Sequence, residues 1–387
     1  MTQRDDSRVA RFERVVASLL ASELHAVRRG GFERGERVRW GSDTPVSGGE
    51  IGVDSLELIG VATAISDFFG LHAIGIEDRL LVDRTIGGWA ALVADATENG
   101  CETLAFRTSG TSGEPKRIEH RLGSLRAEAR FFAERFAGVE RVVALVPAHH
   151  LYGFVHTVLV PEALGVGVAD REFALRTGVV RGLRGGDLVV ATPFVWEELR
   201  TLGIGIPPGV RGVSSGAPID EETWRGVLAL GLDGLTDVYG STEAGAIGCR
   251  TEPGGRFTPV DEEKARASDQ DTLEWDADGA FVVAGRADDC VQVGGVNVSR
   301  SLVAGTIRAH PDVSRCVTGL EGEGADARLC AHVVPVGGVD RAALVESLRA
   351  YARESLPAPE RPAVYVVVDA LETGAMGKPV LPARRAG

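Results

Sequence analysis

"TLAFRTSGTSGEPKRIEHRLGSLRAEARFFAERFA", residues 103–137, runs from a short apolar stretch through a loop rich in hydroxyls and glycine into a helical pattern. The loop Thr108–Lys116 places Thr108, Ser109, Thr111 and Ser112 beside Gly110, Gly113, Pro115 and Lys116. At a strand-to-helix turn, hydroxyls and backbone N–H groups of this kind converge on phosphate oxygens. The loop is not a GxxxxGK[ST] P-loop, because proline stands directly before Lys116. From Leu104 onward the same alternation continues. The apolar runs "RVVALVP", "DLVVATP", "GVRGVSS" and "LTDVYG" lie between helical segments. That order predicts α/β layers around a largely parallel sheet.

The rest of the chain frames this segment. Before it, "RVARFERVVASLLASELHAV", "DSLELIGVATAISDFFG" and "TIGGWAALVADA" carry apolar residues at helical spacing, and Asp54 stands where an N-cap belongs. "TENGCE" breaks the pattern. After "GRADD" the chain restarts as a small α+β pattern that includes "LCAHVVP", "RAALVESLRAYARESL" and "AVYVVVDAL". The 387 residues carry a net charge of −13, which argues against a nucleic-acid surface, since phosphate backbones require clustered Lys and Arg. Five cysteines without metal-ligand spacing indicate a reducing compartment. No apolar run approaches the roughly 18 residues of a membrane span, and the first residues lack a signal-peptide core. The expected location is cytoplasmic.

Six stretches now fall into one order: "TSGTSGEPK", "PAHHLYG" (147–153), "SSGAP" (214–218), "YGSTEAG" (239–245), "GRADDCVQVGGVNV" (285–298) and "GAMGK" (374–378). Together they resemble the adenylate-forming acyl and aryl ligase superfamily over residues 104–387. The resemblance implies that Thr108, Ser109, Gly110, Thr111, Ser112, Gly113 and Lys116 hold the β- and γ-phosphates of ATP. It assigns Thr242 to the α-phosphate and Glu243 to Mg²⁺, a hard cation suited to carboxylate and phosphate oxygens. Gly216, Ala217 and Pro218 would line the adenine, with Tyr239 against its face. Asp271 and Arg286 would reach the ribose, although Asp269–Gln270 precedes Asp271 where the family has Gly-Asp. Asp288 takes the hinge position about which the C-terminal domain turns, bringing Gly294 and Gly295 beside the thiol tunnel. Lys378 would steady the charge that develops when a carboxylate attacks the α-phosphate. His150, Tyr152, Ala246 and Ile247 would form the acyl pocket. No aspartate stands in "PAHHLYG" to meet a substrate ammonium, so a small carboxylic acid without an α-amine is expected.

"GVDSLELI", followed by "FFG" and "TIGGW", resembles acyl carrier proteins, in which the serine of DSL accepts 4′-phosphopantetheine. The resemblance implies that Ser55 is that serine. The expected fold class is therefore α/β with three parts: a carrier-like helical bundle (1–98), an adenylation domain shortened at its N-terminus (99–286) and a small α+β lid (287–387). The expected reaction joins a carboxylic acid to ATP and passes the acyl group to a thiol. The first candidate thiol is pantetheine on Ser55, with a phosphopantetheinyl transferase and downstream acyl-transferring enzymes as partners. Free CoA or a separate carrier is the alternative acceptor, and a non-catalytic docking protein is a second alternative. No nucleic-acid or membrane partner is expected, and a homodimer stays open.

Overall fold

The computed structural model of the chain describes residues 3–28, 33, 35, 37, 40–108, 116–267, 271–286, 290–293, 296–321, 328–373 and 379–380. The chain forms two compact units, Met1–Asp261 and Glu262–Gly387.

The first unit begins with three helices, α1 (Gln3–Val27), α2 (Ser55–Phe69) and α3 (Ile86–Asn99). Asp54 caps α2 as expected: its carboxylate accepts the N–H groups of Leu56 and Glu57, and Glu57 returns a bond from the Asp54 N–H. Arg28, at the end of α1, clasps Glu57 in two hydrogen bonds of 2.7 and 2.6 Å. That contact holds the Glu57 carboxyl down to about 2. Thr85 caps α3, and the indole N–H of Trp89 donates to the Leu80 carbonyl.

A seven-stranded sheet follows. Its strands are β3 (Arg141–Ala144), β4 (Gly167–Asp170), β5 (Asp187–Ala191), β6 (Arg211–Ser215), β7 (Gly234–Ser241), β8 (Gly245–Arg250) and β9 (Thr258–Pro259). They lie in the order β4-β3-β5-β6-β7-β8-β9; the first five are parallel, and β8 and β9 run antiparallel. The expected parallel sheet is thus present, with β4 and an antiparallel edge added. One face packs on α7 (Arg176–Arg181), α8 (Pro193–Leu202) and α9 (Glu221–Ala229) through Val189, Trp196, Trp224 and Leu235. The opposite face shares its core with α1–α3 and with α4 (Leu122–Arg135).

Two expectations are corrected here. Residues 1–98 do not stand apart as a bundle, because Phe12, Val16, Leu20, Ile65 and Trp89 lie in the same apolar cluster as Val142, Val190 and Val238 of the sheet. In α1 every residue from Val15 to Ala21 is buried, the pattern of a helix enclosed on all sides and not of a surface amphipathic one. The second correction concerns the Thr108–Lys116 loop, which joins two antiparallel strands, β1 (Thr103–Thr108) and β2 (Lys116–Arg121). "KRIEHR" is a strand whose charged residues alternate with the less exposed Ile118 and His120. The loop therefore closes a hairpin, not a strand-to-helix turn.

The second unit contains α10 (Glu262–Arg266), the hairpins β10 (Asp271–Trp275)–β11 (Phe281–Arg286) and β12 (Cys290–Val293)–β13 (Val296–Ser299), and a three-stranded sheet. In that sheet β14 (Val313–Glu321), β15 (Arg328–Pro335) and β16 (Val364–Val367) pack on α11 (Arg300–Arg308) and α12 (Arg341–Ser355). The unit boundary falls at 261/262, where the sequence reading places a domain edge at 286/287. Among the described residues no helix is long and apolar enough to cross a membrane.

An ion cluster pins α1 to the edge of the large sheet. The Asp170 carboxylate at the end of β4 receives Arg14 at 3.2 Å and Arg37 at 3.0 Å, and Arg37 also pairs with Glu172. Burial alone would raise the Asp170 carboxyl; Arg14 and Arg37 outweigh it and hold the group below its usual value. A carboxyl depressed by folding contributes stability above its unfolded-state value and loses it as pH falls through the folded one. Asp170→Asn is therefore expected to destabilise the unit by about 2 kcal/mol at pH 7. That is less than the roughly 3–5 kcal/mol of a fully buried pair, because 27% of the Asp170 side chain is exposed. Urea unfolding followed by circular dichroism should show the deficit closing toward pH 3; a deficit that widens there would contradict this assignment.

Candidate active site

The chain leaves β3 toward β4 on one side, then returns to lay down β5, β6 and β7 on the other. The connections after β3 and β5 therefore diverge, and such a switch point, at the carboxyl ends of the strands, is where open α/β sheets bind ligands. The expected motifs collect there. "PAHHLYG" follows β3, "SSGAP" closes β6, and "YGSTEAG" spans the turn from β7 to β8.

His149 and His150 sit at the exit of β3 with ring centroids 4.3 Å apart and planes tilted by 35°. The Nδ1 of His149 lies 2.7 Å from the Ser18 hydroxyl of α1. His150 is the N-cap of α5 (Leu151–Phe154), which runs on through a π-helical turn (155–159) into α6 (Val160–Leu164). This start packs so closely that a Cβ on Gly153 would lie 1.9 Å from the Pro147 carbonyl oxygen, so only glycine fits. The Tyr152 hydroxyl points at the carbonyls of Ala191 (3.1 Å) and Val213 (2.9 Å), bridging β5 and β6. Burial pushes that hydroxyl well above its ordinary value, so it stays protonated as a donor. Tyr152, expected in the acyl pocket, thus commits its polar end to a structural tie. Its ring lies 4.8 Å from His156, whose Nδ1–H donates to the Tyr152 carbonyl at 3.2 Å. Burial lowers His156 to about 4, leaving it neutral.

The turn after β7 is equally tight. A Cβ on Gly240 would lie 2.2 Å from the Gly245 carbonyl oxygen, and the ladder slips between Tyr239 and Gly240. The slip is a local bulge that re-aims the following residues, here Thr242 and the exposed Glu243. His120 of β2 reaches across: its Nε2 lies 2.6 Å from the Thr242 carbonyl oxygen. Thr108 and Lys116 are paired at the loop end of the same hairpin, so that contact, near the opposite end, ties the β1–β2 hairpin to the Thr242 turn. Behind the turn, the buried Glu128 of α4 accepts the Ala246 N–H at 3.1 Å. Ala246 and Ile247, expected pocket residues, are both buried in β8. Gly216 holds a left-handed φ of 94° directly after β6, with Ala217 half-buried and Pro218 exposed. Tyr239 packs 5.5 Å from Phe257.

Two buried hydroxyls at these strand ends, Thr192 Oγ1 and Ser214 Oγ, have no hydrogen-bond partner among the described residues. Unpaired buried polar groups call for a water or a ligand. Among the described residues no group of three His, Cys, Asp or Glu side chains gathers to hold a metal by protein ligands alone. Glu243 by itself suits Mg²⁺, which takes one or two carboxylates together with substrate phosphates and water. In the second unit, Asp271 and Arg286 stand directly opposite each other across β10 and β11. Ser109–Pro115, Asp288, Gly294, Gly295 and Lys378 lie outside the described residues. Ser55, at the first turn of α2, is exposed.

Ser18, His120 and Glu128 are site-building residues that motif reading missed. Glu128 did leave a signal, being a carboxylate on the apolar stripe formed by Leu125, Ala129 and Phe132. His120 shares the inward parity of Ile118.

Comparison with known proteins fits this geometry. The family described as AMP-binding enzyme matches residues 103–275. A 4-coumarate–CoA ligase of Rhodobacter capsulatus is 37% identical over 385 residues, covering 94% of this chain and 98% of that protein. A 4-coumarate–CoA ligase of Halorhodospira halophila is 36% identical over 382 residues, covering 94% and 97%. Among solved structures, O-succinylbenzoate coenzyme A synthetase from Bacillus subtilis in complex with AMP superposes with a TM-score of 0.57 at 18% identity, over 71% of this chain and 67% of that one. With relatives aligned along nearly its whole length at 36–37% identity, the chain belongs to the AMP-binding enzyme family of AMP-forming acid–thiol ligases.

Proposed function

We propose that this enzyme activates an aromatic carboxylic acid of the hydroxycinnamate type. The carboxylate oxygen attacks the α-phosphorus of ATP and pyrophosphate leaves; the thiol of CoA then takes the acyl group and AMP leaves. The observation that carries the reading is the His120 contact to the Thr242 carbonyl, which couples the phosphate-loop hairpin to the turn bearing Thr242 and Glu243. Thr242 orients the α-phosphate, and Glu243 would hold Mg²⁺, which would supply positive charge to the phosphates. Lys378 meets the charge that grows as two anions combine; fixed charges aimed at a transition state are the largest single source of such rate gains. His149 and His150 border the acid. No carboxylate lies between Pro147 and Phe154 to pair with an α-ammonium.

CoA is the favoured acceptor because the helices that would form a carrier are built into the core of the first unit. A carrier must travel to deliver its arm, and buried apolar side chains such as Phe69 and Trp89, at about 1.5–3 kcal/mol each, oppose that release. A second reading rests on one feature: exposed Ser55 stands beside Leu56 and Ile59, which are 79% and 60% exposed. That is the setting of a serine modified by pantetheine and presented to a partner protein.

Carboxylate-dependent pyrophosphate exchange across a panel of acids tests the first step. Hydroxycinnamates and related aryl acids should drive exchange and α-amino acids should not; an α-amino acid as the best substrate would overturn the assignment. Lys378→Ala should lower exchange by about 10²–10³-fold, the range for losing one transition-state donor. It should leave transfer from a synthetic acyl-adenylate to CoA largely intact, whereas equal loss in both half-reactions would remove Lys378 from its role.

The acceptor is decided by intact-mass spectrometry after coexpression with a phosphopantetheinyl transferase. Under the CoA reading the chain stays unmodified and acyl-CoA accumulates. A pantetheine adduct that disappears in Ser55→Ala would instead select the carrier reading.

A further inference from the structure

Ser18 is the one polar residue in the fully enclosed stretch of α1, "VVASLLA" from Val15 to Ala21, and it is 3% exposed. A hydroxyl buried among aliphatic side chains is costly unless it is hydrogen-bonded, and alanine is the better helix former at such a position. Its partner is His149 Nδ1 at 2.7 Å, on a segment 131 residues away. Four residues earlier on the same helix face, Arg14 grips Asp170 at 3.2 Å and the Thr157 carbonyl at 3.0 Å. One face of α1 is thereby anchored at the end of β4, at the π-helical turn, and at the histidine pair after β3. Arg14 carries the attachment to the sheet edge, and Ser18 carries the hydrogen bond to the histidine.

We propose that Ser18 is a positioning residue for recognition of the carboxylic acid. It fixes the ring of His149 and, through the 4.3 Å ring contact, that of His150 at the border of the site. The inference rests on the function proposed above. A serine hydroxyl both donates and accepts, so it holds the ring in either neutral tautomer and sets its orientation. With the hydroxyl removed, the Nδ1 edge loses this partner on α1, which loosens the hold on the acid side of the site. The nucleotide side is held by other residues, His120 and Glu128. The helix itself remains packed through Val16, Leu19 and Leu20.

The test separates acid recognition from folding. Initial rates of acid-dependent pyrophosphate exchange are measured for the wild type, Ser18→Ala, Ser18→Cys, Leu20→Ala, His149→Ala and the Ser18→Ala/His149→Ala double variant. Ser18→Ala should raise the KM for the acid about tenfold, the ratio to which one net hydrogen bond corresponds, with the KM for ATP within about twofold of wild type. Ser18→Cys, which keeps the size and a weaker donor, should recover part of the loss. Leu20→Ala should lower the unfolding midpoint more than Ser18→Ala does while leaving the ratio of the two KM values unchanged. The double variant should bind acid no worse than His149→Ala alone, because both changes cut one connection. An unchanged acid KM in both Ser18 variants, a parallel rise in the ATP KM, or additive losses in the double variant would overturn the inference while the ligase reading stands. A wild-type protein inactive with every acid would overturn both.

Discussion

The β1–β2 hairpin is held to the first unit by aromatic packing and not by a sheet ladder. Among the described residues neither β1 nor β2 pairs with a strand of the seven-stranded sheet. Phe106 of β1 instead inserts between Phe68 of α2, at 5.0 Å, and Phe154 at the end of α5, at 5.8 Å; Phe68 and Phe154 are 5.9 Å apart. All three contacts are edge-on, the arrangement in which the electropositive rim of one ring meets the face of another. Phe69 and Phe12 extend the cluster to α1. One apolar knot thus joins the helical zone, the hairpin and the segment that carries the histidine pair. Because the rings are shared, none of these elements can leave without exposing the others.

That constraint explains the division of labour in the site. Residues with polar chemistry sit on short connections at strand ends, where few contacts fix them, so each connection is braced by a residue from another element. Ser18 braces the turn after β3, Tyr152 spans the ends of β5 and β6, and His120 and Glu128 hold the turn after β7. Two glycines set the backbone beneath them, at Gly153 and Gly240, where any side chain would strike a carbonyl oxygen. The motifs "PAHHLYG" and "YGSTEAG" are therefore statements about backbone clearance as well as about their polar side chains.

The embedding of α1–α3 also bears on the acceptor thiol. A helix such as α2, with an Asp54 cap, an exposed Ser55 and an apolar rear face, satisfies the local pattern of a carrier helix. Locally the pattern is satisfied; what differs is the partner of the rear face. Ile65, Phe68 and Phe69 pack into a core that continues to the sheet strands Val142 and Val190. Local sequence encodes that a face is apolar, not which surface will cover it.

The amino-acid sequence by itself determined the α/β alternation, the order of the motifs, the cap at Asp54, and the position of Thr242 and Glu243 at a strand end. Each of these depends on residues within a few positions of one another, through helical or alternating periodicity, capping and turn chemistry. Tertiary structure alone decided that "KRIEHR" pairs as a strand, that α1 lies enclosed against the sheet, that β4 occupies the edge where Arg14 and Arg37 meet Asp170, and that Ser18, His120 and Glu128 reach the site. Those outcomes depend on contacts between residues far apart in the chain, up to 156 positions for Arg14 and Asp170. No short-range pattern selects such partners; packing of the common core does, by setting which faces are left to meet.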